Sequence, residues 1–163
     1  MHMDVQIIQA DYGDPKQREE IPKILNAYAS DPMGGGVPLS DFAKANLVEK
    51  LSQHPNAFSI LAYVDGEPAG LVNCLQGIST FACRPLINIH DVVVLEGFRG
   101  HGLSQRMLEK VEDIAQERDC CKITLEVLSN NTVAKNAYTK FGFAGYELDP
   151  TAGQALFWEK EIG

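Results

Sequence analysis

The run Val92-Val93-Val94 leads within a few residues into Arg99-Gly100-His101-Gly102-Leu103-Ser104 and then into a helix carrying Leu103, Met107, Leu108, Val111, Ile114 and Ala115. Consecutive β-branched residues favour a buried strand, and Leu86 to Leu95 is apolar apart from Asn88, His90 and Asp91. Two glycines let the chain turn sharply, and apolar residues recurring every three or four positions form one helical face. A buried central strand, an abrupt turn and an amphipathic helix in that order commit the chain to a layered α/β arrangement.

The remaining segments fit around this unit. Val5 to Gln9 alternates as a first strand, Gln17 to Tyr28 is predicted helical, and Asp31 to Pro38, with two prolines and three glycines, is a loop. Ser40 can cap a helix running to about Gln53, closed by His54-Pro55. Phe58 to Val64 and Pro68 to Ile78 flank Asp65-Gly66, a dipeptide suited to a tight hairpin. After the long amphipathic helix, Cys121 to Leu128 reads as a strand, Asn131 to Phe141 as an Asn-capped helix, and Ala155 to Glu161 as a last strand.

Composition excludes several classes. At 163 residues and 45% apolar content the chain fits one domain, residues 1–163. A net charge of −8 and the absence of any Lys/Arg run argue against a nucleic-acid or anionic-membrane partner, while a cationic small substrate is tolerated. There is no membrane-length apolar stretch and no basic-then-apolar leader, so the expectation is a cytoplasmic protein. The four cysteines lack metal-ligand or redox spacing and are expected as free, buried thiols. His2, His54, His90 and His101 are scattered, so no metal site is expected.

The turn from Arg99 to Ser104 is an anion cradle by chemistry. Its glycines admit close approach, the first helical N–H groups and the positive end of the helix dipole hold phosphate oxygens, and Arg99 can add charge-assisted bonds. It lacks the Gly-Lys-[Ser/Thr] ending of an NTP-binding loop. A dinucleotide fingerprint beginning at Gly100 would need a glycine where Gln105 stands.

Arg99-x-x-Gly102-x-Ser104 instead resembles the pyrophosphate loop of the GCN5-related N-acetyltransferases, with Ser104 in place of a final Gly or Ala. Asn131-x-x-Ala134-x-x-x-Tyr138-x-Lys140-x-Gly142-Phe143 is similar to that superfamily's second motif. The resemblance implies a mixed, mostly antiparallel central sheet, splayed at the cofactor site and flanked by helices. It implies acetyl-coenzyme A as co-substrate, bound at Val92, Val93 and Val94, at Arg99, Gly100, His101, Gly102, Leu103 and Ser104, and at Asn131, Ala134, Tyr138 and Lys140. Main-chain groups of Val92 and Val94 would pair with the pantetheine arm, and Tyr138 would reprotonate the leaving thiolate.

Direct attack by an amine also requires a base on the strand entering the cradle. His90 and Asp91 are the candidates; as strand neighbours they are expected on opposite faces. An imidazole titrates at about 6.5 when unperturbed, which suits the task, whereas a carboxylate needs an upward shift or a water relay. Gly77-Ile78-Ser79-Thr80-Phe81, Arg84-Pro85-Leu86 and Ile89-His90-Asp91-Val92 resemble the diamine N-acetyltransferase branch, which carries Glu-Asp where this chain has His90-Asp91. The implied acceptor is a primary amine of a small molecule, such as an amino acid derivative, diamine or polyamine. Two alternatives stand beside it: a catalytically weak acyl-coenzyme A-binding regulatory domain, and an enzyme acting on a protein N-terminus or lysine. The final strand can supply an exchanged or paired edge for a homodimer.

Overall fold

The computed structural model describes residues 2–145 and 147–163, with backbone alone at 147 and 148. Five strands form one sheet in the order β1 (Val5–Gln9), β2 (Ala57–Val64), β3 (Glu67–Ser79), β4 (Arg84–Val94) and β5 (Ile123–Leu125). The first four pair antiparallel, and β5 joins β4 in parallel. The β2–β3 hairpin turns on Asp65 and Gly66, at φ 50° and 81°. Positive φ at both central residues is the geometry whose twist matches the flanking strands.

Alternation along β2 divides the core. Ile60 and Ala62 pack with Val72, Cys74, Ile87 and Ile89 against α3 (Leu103–Glu117), while Leu61 and Tyr63 pack with Leu71 and Val93 against α1 (Pro15–Ser30) and α2 (Asp41–Ser52). Both faces of β2 are therefore covered, which is why its sequence is apolar throughout except at Ser59. The stripe on α3 is fully engaged: Leu103, Met107, Leu108, Val111, Ile114 and Ala115 are all buried. Each larger side chain among them contributes about 1.5–3 kcal/mol by leaving water. Tyr138 and Phe141 of α4 (Thr132–Phe141) pack against the edge of the same core.

What positions the candidate site is the way β4 parts from β5. The two strands pair only at Ile87↔Ile123, Asn88↔Thr124 and Ile89↔Leu125, with Asn88 Nδ2 donating to Thr124 Oγ1 at 2.9 Å. One residue later the β3–β4 register shifts: Cys74 faces Ile89 and Asn73 faces Asp91, so His90 has no counterpart on β3. A bulge bends its strand and increases its twist, and from here to Val94 β4 runs on without β5.

The structure corrects several sequence expectations. The strand predicted over Cys121 to Leu128 is only Ile123–Leu125, and the Asp31–Pro38 loop contains a 3₁₀ turn at Pro32–Gly34. No strand exists at Ala155–Glu161: the chain ends in a separate two-stranded ribbon, β6 (Glu147–Asp149) with β7 (Gly153–Gln154), followed by irregular backbone. An apolar run makes a strand only where a neighbouring edge supplies a ladder, and Leu156, Phe157 and Trp158 are solvent-exposed instead. All four cysteines are free, but only Cys74 is fully buried and Cys83 is exposed. Among the described residues no helix is long and apolar enough to cross a membrane.

Candidate active site

The cradle at the end of β4 takes the shape its glycines allow. Gly100 and Gly102 sit at φ 84° and 74°, and a Cβ built on either would meet nothing within 4 Å, so backbone angle rather than crowding favours glycine here. Gly102 begins α3 with no side chain capping it. The other helices begin with a side-chain acceptor: Asp14 for α1, Ser40 for α2 and Asn131 for α4. The amides of Leu103, Ser104 and Gln105 lie in the first turn, where no intrahelical acceptor exists. An anionic diphosphate fits this combination of open space, uncapped amides and positive dipole end. His101 is exposed in the same turn.

Arg99 does something the sequence did not suggest. Its Nε donates to the Val94 carbonyl at 3.1 Å, and its guanidinium lies 3.9 Å from the Asp31 carboxylate at the end of α1. The side chain thus folds back over the strand end and draws it toward the α1–α2 connection.

The β3–β4 ladder fixes which way the β4 backbone faces. Leu95 N donates to Ala69 O, and alternation in an antiparallel pair then turns the main-chain groups of Val93 toward β3 and those of Val92 and Val94 toward the open side. The Val93 carbonyl would touch a Cβ placed on Gly70, and its side chain is only 4% exposed within the α1 core. Val93, included with its neighbours as a cofactor contact, therefore lies away from the cleft. Val92 presents both main-chain groups at the open edge and Val94 its N–H, the Val94 carbonyl being held by Arg99.

Asp91 lies on β4 at this opening, Tyr138 packs into the core cluster that also takes Val92, Val94 and Leu125, and Tyr28 packs on the α1 side within electrostatic reach of Asp91. Tyr28, near the end of α1, has its phenol pKa raised by burial first and then by the charges of Asp91 and Asp31. Tyr138 is pushed up to about 12, by burial and then by Tyr28. It also packs edge-on against Phe143, with ring centroids 5.9 Å apart. Asp91 is half-buried, and its Oδ2 accepts a 3.0 Å hydrogen bond from Asn73 Nδ2. His90 occupies the bulge, is exposed, and makes no side-chain hydrogen bond among the described residues. The bulge overrides the simple alternation expected of these two neighbours.

The second motif forms the far wall. Asn131 Oδ1 accepts from Ala134 N at 3.1 Å, so the side chain caps α4 as its position predicts. Gln105 Nε2 donates to Ala137 O at 2.8 Å and ties the first turn of α3 to α4. Lys140 is exposed in the last turn of α4, where a cation complements the dipole. Tyr28, Asn73 and Ser59 were missed by sequence reading. The signal available for Ser59 and Asn73 is a polar residue within otherwise apolar strands, Phe58-Ser59-Ile60 and Val72-Asn73-Cys74. Tyr28 carries none.

Comparison with known proteins agrees with this geometry. The Acetyltransferase (GNAT) family matches residues 21–143, most of the chain. An uncharacterized N-acetyltransferase of Archaeoglobus fulgidus is 34% identical over 80 residues, 48% of this chain and 54% of that protein. The thialysine N-epsilon-acetyltransferase of Sus scrofa is 31% identical over 84 residues, 47% of this chain and 48% of that one. The alignments thus span about half the length of these curated relatives. Among solved structures, a probable acetyltransferase superposes with a TM-score of 0.77 at 18% identity, covering 96% of this chain and 99% of its own. The aminoglycoside N-acetyltransferase AAC(6')-Iy in complex with CoA gives 0.72 at 18%, covering 99% and 96%. Cradle, splayed strand pair and family match together make this chain a member of the GNAT acetyltransferase family.

Proposed function

We propose that the protein is an acetyl-coenzyme A-dependent N-acetyltransferase acting on a primary amine of a small molecule. The observation that carries this reading is the parting of β4 from β5 beside the uncapped start of α3, with Asp91 on the strand there and Tyr138 packed in the cluster of Val92, Val94 and Leu125. Bound acetyl-coenzyme A supplies an activated acetyl thioester. The amides of Leu103, Ser104 and Gln105 hold its diphosphate, and the main-chain groups of Val92 with the N–H of Val94 pair with the pantetheine arm as an added strand would. Asp91 draws in the substrate's ammonium group and receives its proton through a water relay, leaving a neutral amine to attack. Tyr138 remains protonated because burial raises its pKa to about 12; it gives that proton to the sulfur as the C–S bond breaks, and the second proton shed by the newly acylated nitrogen restores the phenol. Tyr28 lines the acceptor side. Related proteins support the substrate class by name: one acts on thialysine at its ε-nitrogen and others on aminoglycosides. A half-buried carboxylate and a chain of net charge −8 suit such cationic acceptors.

The test is release of free thiol from acetyl-coenzyme A against a panel of polyamines, lysine and thialysine, aminoglycosides and short peptides. The expected result is turnover with a small primary amine, strongly lowered but still measurable in the Asp91→Asn variant. Calorimetric binding of acetyl-coenzyme A with no thiol release across the panel would overturn the reading in favour of a regulatory binding domain, and activity confined to the peptides would overturn its substrate class.

A further inference from the structure

We propose that Asn73, held in place by Ser59 and Tyr12, is the positioning residue for Asp91; the inference rests on the reading of Asp91 as the group that receives the substrate's proton. Four side chains from neighbouring segments form one row: the Tyr12 hydroxyl lies 2.7 Å from Ser59 Oγ, Ser59 Oγ 2.6 Å from Asn73 Oδ1, and Asn73 Nδ2 3.0 Å from Asp91 Oδ2. The last three residues are direct cross-strand partners on β2, β3 and β4.

Donor and acceptor chemistry fixes the direction of the row. An ionised carboxylate only accepts, so Asn73 must present its amide nitrogen to Asp91. Its carbonyl oxygen then faces Ser59, which must donate. With that proton committed, the serine accepts from Tyr12. The carboxylate orients the whole row, because flipping the Asn73 amide would set its carbonyl oxygen against Asp91, whereas the hydroxyls of Ser59 and Tyr12 follow whichever sense the amide takes.

The row is placed where β4 most needs it. Asn73 is 5% exposed and Ser59 fully buried, so each is costly to bury unless paired, and among the described residues no buried side-chain polar atom lacks a partner. At this level β5 has ended and His90 has no counterpart on β3, so the β4 backbone loses neighbours just where Asp91 projects. Asn73 supplies through a side chain the restraint that the ladder no longer gives. It engages Oδ2 alone; Oδ1 has no hydrogen bond among the described residues and is the oxygen offered to the amine. Asn73 touches neither substrate and acts through Asp91.

The experiment is a double-mutant cycle on the enzyme, with kcat and both KM values measured for the best amine of the panel. Asn73→Leu, which removes the donor at similar volume, should lower kcat about tenfold or more while leaving the KM for acetyl-coenzyme A within about twofold. In an Asp91→Asn background the same change should cost nothing further. An equal loss in both backgrounds, or no loss in either, would overturn the proposal. Should Asn73→Leu fail to fold, Tyr12→Phe carries the same cycle: a loss of about threefold is expected that vanishes when Asp91 is replaced, and a loss that persists there, or none in either background, overturns the proposal equally. Wild-type turnover in Asp91→Asn alone would remove the reading of Asp91 and this inference with it. A slow Asp91→Asn beside a fast Asn73→Leu would strike only the role of Asn73.

Discussion

The two edges of β4 are built differently. Along β3 the strand is paired from Arg84 to Val94, interrupted only at the His90 bulge; along β5 it is paired only from Ile87 to Ile89. The closed edge holds side chains still, and the row through Asn73 is its clearest product. The open edge leaves the main-chain groups of Val92 and the N–H of Val94 for a partner outside the sheet. An unpaired strand edge is ordinarily a liability. Here it is short, it adjoins the uncapped start of α3, and Arg99 bends back over its end. One strand can serve both purposes because successive residues turn their backbone groups to opposite sides.

The largest expected effect lies on the open side. Tyr138→Phe should lower kcat roughly a hundredfold, since it removes a proton donor, and change the KM for acetyl-coenzyme A by less than about threefold. Steady-state kinetics at saturating amine would show it. Because the wild-type phenol keeps its proton up to about 12, Tyr138 should add no falling limb to the kcat profile anywhere below about pH 10. A falling limb that vanishes in the Phe variant would contradict this.

The closed edge is broken at Gly70. A Cβ there would come within 2.8 Å of Met107 Cε and 2.9 Å of the Val93 carbonyl oxygen, and the second of these is backbone that cannot step aside. Gly70→Ala should cost about 1–3 kcal/mol in a urea titration, while the folded variant binds acetyl-coenzyme A as before. Lost affinity without lost stability would mean that the two edges are not separate.

Gly102→Asp sharpens the contrast with the smallest change. Aspartate tolerates positive φ better than most residues, and its carboxylate can cap the α3 amides that Gly102 leaves free. Stability should move by less than about 1 kcal/mol while affinity for acetyl-coenzyme A falls about tenfold, as a fixed carboxylate displaces the diphosphate. Thermal melts beside calorimetry measure both, and tighter binding would dissolve the comparison.

Much of the architecture was legible in local chemistry. Asp65-Gly66 announced its hairpin, Ser40 and Asn131 announced their caps, and the spacing from Leu103 to Ala115 announced the buried face of α3. Each of those signals is contained within one element. The bulge at His90 is not, because an extra residue in an apolar strand shows only against the register of its neighbour. Asn73 was hidden for the same reason: its meaning depends on Ser59 and Asp91 standing opposite it on two other strands. Arg99 shows the converse limit, since its charge was evident but the carbonyl of Val94 that holds it was not. Ala155 to Glu161 has a strand's composition and no ladder to join, and pattern alone cannot supply one.

Trp158 lies in that final segment, 83% exposed, and it is the only tryptophan in the chain. Ultraviolet emission excited at the indole band therefore reports on the last few residues and hardly at all on the packed sheet. A denaturation curve followed by this fluorescence would stay nearly flat while the core melts, and far-ultraviolet dichroism is needed to see the fold itself. The same isolation makes the indole a clean label: a blue shift as protein concentration rises would register a surface closing over the tail, with no contribution from the rest of the molecule.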